Sequence, residues 1–325
     1  MKYDIRQAAQ ALVSQLKAID YERLPISKYN KRYIARLKPV LSYYMKIYAD
    51  CILKGLESIG SSPEEITLID YGGGSGFLSI LAKQAGIGRV IYIDLNPDSV
   101  DTIRILKELV NTGPDIILHG DSDTLADWCS ANKVKPQLLI ATDLIEHVYD
   151  LSAFFANLVA IDNKMQMLFT TASTPFNPYV KRRLHRLMTI WEKEYYALRL
   201  HYIQLHFPAL SPAEAKEAAR KTRGLTFPHI HKAVKTGSYP LLKDAFNTCD
   251  PRNGNWTERI LPIETYCSLA KLLRLSSPDR KRFLQHGSFQ PDLHIHLLRY
   301  QRSDQDQRKS RFPICPVYNP APTER

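Results

Sequence analysis

Ile66-Thr67-Leu68-Ile69-Asp70-Tyr71-Gly72-Gly73-Gly74-Ser75-Gly76-Phe77-Leu78-Ser79-Ile80-Leu81-Ala82 is the stretch on which the fold turns. A β-branched and aliphatic run ends in a carboxylate, passes four glycines in five positions, and resumes with helical apolar spacing at Phe77, Ile80 and Leu81. This reads as strand, tight turn, helix. Glycines at 72, 74 and 76 remove the Cβ atoms that would hold a ligand off the backbone and permit positive φ. The open amides at the helix start are expected to face that ligand.

Gly-x-Gly-x-Gly alone also fits a dinucleotide site. Asp70 shifts the balance, because an acid beside the loop repels a pyrophosphate and suits a ligand carrying a sulfonium and an ammonium. Three further runs end at comparable places. Arg89–Asn96 reads as a second strand closing on Asp94, 18 residues after Gly76, where a carboxylate can accept both hydroxyls of a ribose. Asp115–Ser122 reads as a third strand ending near Asp121, and Gln137–Val148 as a fourth running into Asp143-Leu144-Ile145-Glu146-His147. Taken in order, these segments resemble the class I S-adenosylmethionine-dependent methyltransferases, whose first motif is acid-x-Gly-x-Gly-x-Gly and whose fourth strand leads into Asp-x-x-Glu-His. The resemblance covers roughly 66–174 and leaves the remainder unmatched.

It implies a cofactor site lined by Asp70, Gly72, Gly73, Gly74, Gly76, Asp94, Leu95, Asp121, Ser122, Asp143 and Leu144, with Asp121 toward the adenine amino group. The implied fold is α/β, Rossmann-like, with a seven-stranded, mostly parallel sheet. S-adenosylmethionine is the implied cofactor, and S-adenosylhomocysteine its product.

A hydrophobic content of 44% and a charged content of 24% are ordinary for a globular protein. No run approaches the roughly 18 to 20 apolar residues of a membrane span, and Met1–Gln10 lacks a signal-peptide core, so a cytoplasmic location is expected. Five scattered cysteines suit reduced thiols; they suggest neither a metal site nor a disulfide framework. None sits where a pyrimidine C5-methyltransferase would carry its nucleophile.

Charge is divided unevenly. Residues 66–174 hold 7 Lys/Arg against 13 Asp/Glu, whereas 175–235 hold 12 against 4. A basic segment over an acidic cofactor half suggests an anionic methyl acceptor; a plainly solvated basic surface is the bland alternative.

Helical periodicity through about Ser61 predicts an N-terminal cap (1–62), whose tyrosines at 29, 33, 43, 44 and 48 suit core packing or a pocket wall. The cofactor core is expected at 63–174, with helices near Phe77–Ala85, Pro97–Val110, Asp123–Ala131 and Leu151–Val159 and a fifth strand at Lys164–Thr171. Residues 175–255 read as an inserted helical lid after that strand. It opens with a long helix from Tyr179 to about Phe207, continues with one capped by Ser211-Pro212-Ala213-Glu214, and adds a third piece after Pro228. A last core helix is expected over Leu261–Leu273, closing antiparallel strands at Arg282–Gln285 and His294–Tyr300, and a disordered tail over 301–325.

Methyl transfer from a sulfonium is an in-line displacement whose leaving group comes with the cofactor, so the protein mainly orients the partners, an effect worth roughly 7 to 11 kcal/mol. A general base matters only where the acceptor loses a proton as it attacks. His147 and His229 are the candidate bases, with Glu146, His147, Arg182 and Arg183 as candidate acceptor contacts. His229 and His231 would share one face of an extended segment, a spacing that also fits a metal pair without a third ligand. Phe176-Asn177-Pro178-Tyr179 lacks one proline of the Asn-Pro-Pro-Tyr motif and reads as a loop into the lid. Expected first is a methyltransferase acting at O or N of a small or medium-sized, anionic metabolite. An RNA methyltransferase using the basic insertion is the second reading, and a non-catalytic S-adenosylmethionine-binding protein the third.

Overall fold

A computed structural model describes residues 4–176, 178–242, 244–276 and 295–297. The chain divides into two compact units. The first holds the described residues of Met1–Thr142 and Ser152–Thr170 together with those from Leu269 onward; the second holds Asp143–Leu151 and the described residues of Thr171–Ser268. These limits cut across the sequence boundaries at 62, 174 and 255. The turn after the fourth strand and residues 256–268 both group with the inserted segment.

In the first unit, β1 (Thr67–Tyr71), β2 (Arg89–Asp94), β3 (Ile116–His119), β4 (Leu138–Thr142), β5 (Gln166–Thr170) and β6 (Ile295–Leu297) form one sheet in the order β3-β2-β1-β4-β5-β6. Every pairing is parallel. The sequence reading placed an antiparallel strand over His294–Tyr300; the short strand found there runs parallel to β5, with Met167 opposite Ile295. Among the described residues the sheet therefore has six strands rather than seven, and Arg282–Gln285 lies outside them. Leu68, Ile69, Ile91, Leu139 and Phe169 are fully buried, as continuous apolar runs in a parallel sheet covered on both faces must be.

Helices α4 (Phe77–Gln84), α5 (Pro97–Val110), α6 (Ser122–Ala131) and α7 (Leu151–Ile161) make the crossovers. Pro97 sits just inside α5, where its missing N–H costs nothing, and the Asn96 side chain accepts the Asp98 N–H at 3.0 Å. N-terminal helices α1 (Ile5–Ala18), α2 (Lys28–Leu37) and α3 (Leu41–Ile59) join the same core through Leu12, Leu16, Ile34, Met45 and Ile52. Gly55 lets α3 approach β4 closely; a Cβ there would lie 2.5 Å from a Leu138 methyl.

The second unit is helical. Its long α8 (Pro178–His206) is followed by α9 (Pro212–Lys221) and α10 (Phe227–Thr236), and α11 (Ile263–Ser276) begins within it. The Ser211–Glu214 capping box starts α9 as its spacing predicted. The segment between α10 and α11 is fixed by polar contacts. Asn247 donates to the Ile260 carbonyl and accepts the Ile260 N–H, and Cys249 bridges Trp256. Arg199 is wholly buried on α8, donating to Glu192 at 2.6 Å and to the Ala219 carbonyl at 3.1 Å. No described helix is long and apolar enough to cross a membrane.

Candidate functional site

The glycine loop lies at the carboxyl ends of β1 and β2, where open α/β sheets bind ligands. Its shape is imposed by β2. Gly72 and Gly73 donate to the Ile93 carbonyl at 2.8 and 3.3 Å, and Gly74 donates to Asp94 Oδ2 at 2.8 Å. The Tyr92 hydroxyl donates to the Gly74 carbonyl at 2.6 Å. Gly72, Gly73, Gly74 and Gly76 spend their loop amides on protein carbonyls and a carboxylate, and of the helix-start amides expected to be open Ser79 spends its own on Asp70. The amides are taken because the neighbouring strand extends far enough to meet them.

Two glycines have distinct reasons. Gly76 takes φ +74 at the start of α4, and a Cβ there would sit 2.1 Å from Ile103 Cδ1. Gly74 takes φ +54, yet its Cβ position is open, with Tyr33 nearest at 3.8 Å. One glycine serves packing; the other keeps a surface clear.

Asp70 lies beneath the loop at 2% exposure, with Oδ2 accepting the Ser79 N–H at 3.0 Å and the Ser79 hydroxyl at 2.7 Å. Desolvation pushes its carboxyl up to about 7, against the pull of the Ser79 hydrogen bonds. It braces strand against helix instead of lining an acidic mouth. Asp94 is half-buried, with Oδ1 accepting the Asn96 N–H and Oδ2 the Gly74 N–H, both at 2.8 Å. Desolvation raises it as well, offset by those two bonds and by His119. Each carboxylate oxygen can accept about two bonds, so Asp94 keeps capacity for two hydroxyls. Leu95 is 69% exposed beside it. Asp121 is exposed and caps α6 through the Asp123 and Thr124 N–H groups, while Ser122 is buried and accepts from Asn157. The buried Ser75 hydroxyl has no hydrogen-bond partner among the described residues.

A second group lies wholly in the second unit. The chain leaves β4 through Asp143, held at φ +49, a left-handed conformation costing about 1 to 2 kcal/mol. Glu146 then sits in a single 3-10 turn, Ile145–His147. His147 Nδ1 donates to the Trp256 carbonyl at 2.8 Å, and the Trp256 N–H donates to the His147 carbonyl at 3.3 Å. A carbonyl can only accept, so Nδ1 carries a proton in this bond, and Nε2 is the ring nitrogen outside it. Two residues beyond Trp256, Glu258 accepts a short hydrogen bond from the Ser173 hydroxyl.

Glu146 is 2% exposed; Thr171 hydrogen-bonds its side chain, and its Oε2 has no partner among the described residues. Desolvation, then Glu258 and Asp143, hold its carboxyl well above the usual range. Asp143 is exposed by area, yet desolvation, with Glu258, raises its carboxyl to about 6 against His147 and Arg183. Asp143, Glu146, His147 and Arg183 are thus brought together. Arg182 is exposed on α8.

His229 stands apart from this group, on α10. Its Nδ1 lies 2.7 Å from the Thr226 hydroxyl and 3.1 Å from the Tyr149 hydroxyl. Because 227–236 is helical and not extended, His229 and His231 diverge by about 200° around the axis and share no face. Pro228 at the second helical position favours that helix. Among the described residues no group of three or more His, Cys, Asp or Glu is placed to hold a metal ion. Asn177 of the shortened Asn-Pro-Tyr run lies outside the described residues, and Pro178 opens α8.

The sequence reading missed Tyr92 and Ser79, which shape the loop, and Ser173 and Glu258, which complete the carboxylate group. Tyr92 could have been noticed as a polar ring inside an otherwise aliphatic strand.

No family model matches the chain. Among curated proteins it is 30% identical over 115 residues to the ribosomal protein L11 methyltransferase of Shewanella sp., covering 35% of this chain and 36% of that protein. It is 55% identical over 38 residues to the ribosomal protein L11 methyltransferase of Burkholderia mallei, covering 12% and 13%. Over the matched residues the chain is similar to methyltransferases. It spans about a third or less of the length of the curated relatives it matches. Solved structures overlap it weakly: MtNAS in complex with MTA and tNA (TM-score 0.32, 18% identity, 51% of this chain and 54% of that one), and Arabidopsis thaliana protein arginine methyltransferase 10 (TM-score 0.26, 14%, 55% and 54%). Overlaps of that size carry no argument about this chain.

Proposed function

We propose that the chain is a methyltransferase whose first unit binds S-adenosylmethionine and which transfers the methyl group to nitrogen or oxygen of its acceptor. The observation that carries this reading is Asp94: half-buried, with both oxygens anchored by backbone N–H groups and with acceptor capacity to spare, beside the open Gly74. The residues present fit the cofactor. Asp94 would take the ribose hydroxyls, exposed Leu95 the flat face of the adenine, and the Ser75 hydroxyl is available to a polar group. When bound, the cofactor supplies an electrophilic methyl with its own leaving group. The chain's part is to hold both partners and, where needed, accept a proton, for which His147 Nε2 is suited.

The acceptor is a small or medium-sized molecule or, in keeping with the names of the relatives, a protein side chain. Part of the positive charge of 175–235 is matched within the unit; Glu192 and Glu217 are already among the segment's four acids, so only Asp244 draws on its surplus. Lys181 and His185 pair with Asp244, Arg199 and Arg223 with Glu192, and Arg220 and Lys221 with Glu217.

Isothermal titration of the purified chain with S-adenosylmethionine tests the proposal. Micromolar binding is expected, abolished in Gly74→Arg and weakened in Asp94→Ala. Binding that ignores both changes, or binding of NAD in its place, would overturn it.

A further inference from the structure

We infer that Asp143, Glu146 and Glu258 form a seat for an organic cation, an ammonium or guanidinium group with N–H donors, which the methyl acceptor presents. Naming that cation as the acceptor's rests on the methyltransferase reading; the seat itself does not.

The geometry comes from two stitches within the second unit. Residues 145–147 are tied to 256 by the paired bonds between His147 and Trp256. Residues 171–173 are tied to 258 and 261 by the Ser173 hydroxyl on Glu258 and by the Leu261 N–H on the Ser173 carbonyl at 3.3 Å. Thr171 joins the stitches, hydrogen-bonding the Glu146 side chain and accepting the Ser173 N–H at 3.0 Å. Glu146 and Glu258 are therefore held toward each other by side chains separated by more than eighty residues in sequence.

Three carboxylates gathered in this way need positive charge or protons. Arg183 and His147 act on Asp143. Among the charges acting on Glu146, both are negative, Glu258 and Asp143, and Tyr266 also feels its carboxylate. Its Oε2 is buried and has no hydrogen-bond partner among the described residues, an unmet acceptor that is costly to leave so. A fixed structural ion pair would have placed a Lys or Arg against it. An incoming N–H cation satisfies that oxygen and relieves the repulsion at once, whereas an anion would worsen both.

Agmatine, which carries both cationic groups, is the probe, titrated calorimetrically into the full chain at pH 7 in two buffers of different ionisation enthalpy. Binding with proton release is expected, because a cation draws the shared protons off the carboxylates. 1,4-Butanediol and citrate should not bind. Glu146→Gln and Glu258→Gln should each weaken agmatine tenfold or more and reduce the released protons, while Glu217→Gln, an exposed acid on α9, should change neither. Should one carboxamide variant fail to fold, the other and the wild-type comparison still decide. Failure of agmatine to bind, binding without proton release, undiminished binding in both variants, or preference for citrate would each overturn the seat. Titrating S-adenosylmethionine into the same samples separates the two readings. Cofactor binding without agmatine binding removes the seat alone, and agmatine binding without cofactor binding removes the methyltransferase reading alone.

Discussion

Adding one methyl group at Gly76 and, separately, at Gly74 should have different outcomes for different reasons. Both residues sit at positive φ, +74 and +54, so Ala at either pays the left-handed penalty of about 1 to 2 kcal/mol. At Gly76 the new Cβ also meets Ile103 Cδ1 at 2.1 Å and Cγ1 at 2.5 Å, and Ile103 is fully buried on α5. Overpacking of that kind adds about 1 to 3 kcal/mol. Gly76→Ala should therefore cost roughly 2 to 5 kcal/mol, and Gly74→Ala roughly 1 to 2, by adding the two ranges. The clash is also specific. Ile103→Ala removes the two offending carbons at its own cost of about 2 to 5 kcal/mol, so the double variant Gly76→Ala/Ile103→Ala should be more stable than the two single losses added together. Urea unfolding followed by far-UV circular dichroism, with the slope checked for constancy, measures all four proteins. Gly74→Ala should keep the fold yet lose cofactor affinity, since its methyl enters open space above the loop. Equal losses at 74 and 76, or strict additivity with Ile103, would refute the reasoning.

Asp70 has its carboxyl raised from 3.8 to about 7 in the folded chain, so its stabilising contribution is full below about pH 4 and is lost as pH rises through about 7. Between those limits stability from this group falls by about 1.4 kcal/mol per pH unit; Asp70→Asn should flatten that slope in denaturation midpoints recorded from pH 4 to 8, and an unchanged slope would count against it. Arg199→Met should destabilise by about 3 to 5 kcal/mol, because it strips a buried charge from Glu192 and leaves the Ala219 carbonyl without that donor; a loss under about 1 kcal/mol in chemical denaturation would contradict the burial. Ser211→Ala removes one half of a capping box and should cost about 1 kcal/mol, with hydrogen exchange speeding in the first turn of α9 and nowhere in the first unit.

The core was legible because its signals are local. The period of β1, β2, β4 and β5 and the punctuation at Gly72–Gly76 and Asn96-Pro97 fall within a few residues of what they specify, and the α5 bounds from the sequence match the structure. Asp94 was legible for the same reason, as the last residue of a strand. The carboxylate group was not. Glu258 meets Ser173 across 85 residues, and His147 meets Trp256 across 109, so nothing near Glu146 in the chain announces its neighbours. The role of Asp70 was misjudged because position in a motif does not reveal which way a side chain is driven, and here Ser79 draws it inward. The helix expected after Pro228 is α10, and only the shared face of His229 and His231, read from their alternate spacing, fails there.

The way β2 grips the glycine loop bears on how quickly and how cheaply a ligand can be received. Strand Ile93 and Asp94 hold the amides, and Tyr92 holds the opposite carbonyl, so the receptacle is cast before anything arrives. Little backbone freedom remains to be surrendered on association, so the loop's own hydrogen-exchange protection should change modestly on saturation, and cutting the Tyr92 hydroxyl should surface as a slower capture rate instead of a different bound shape.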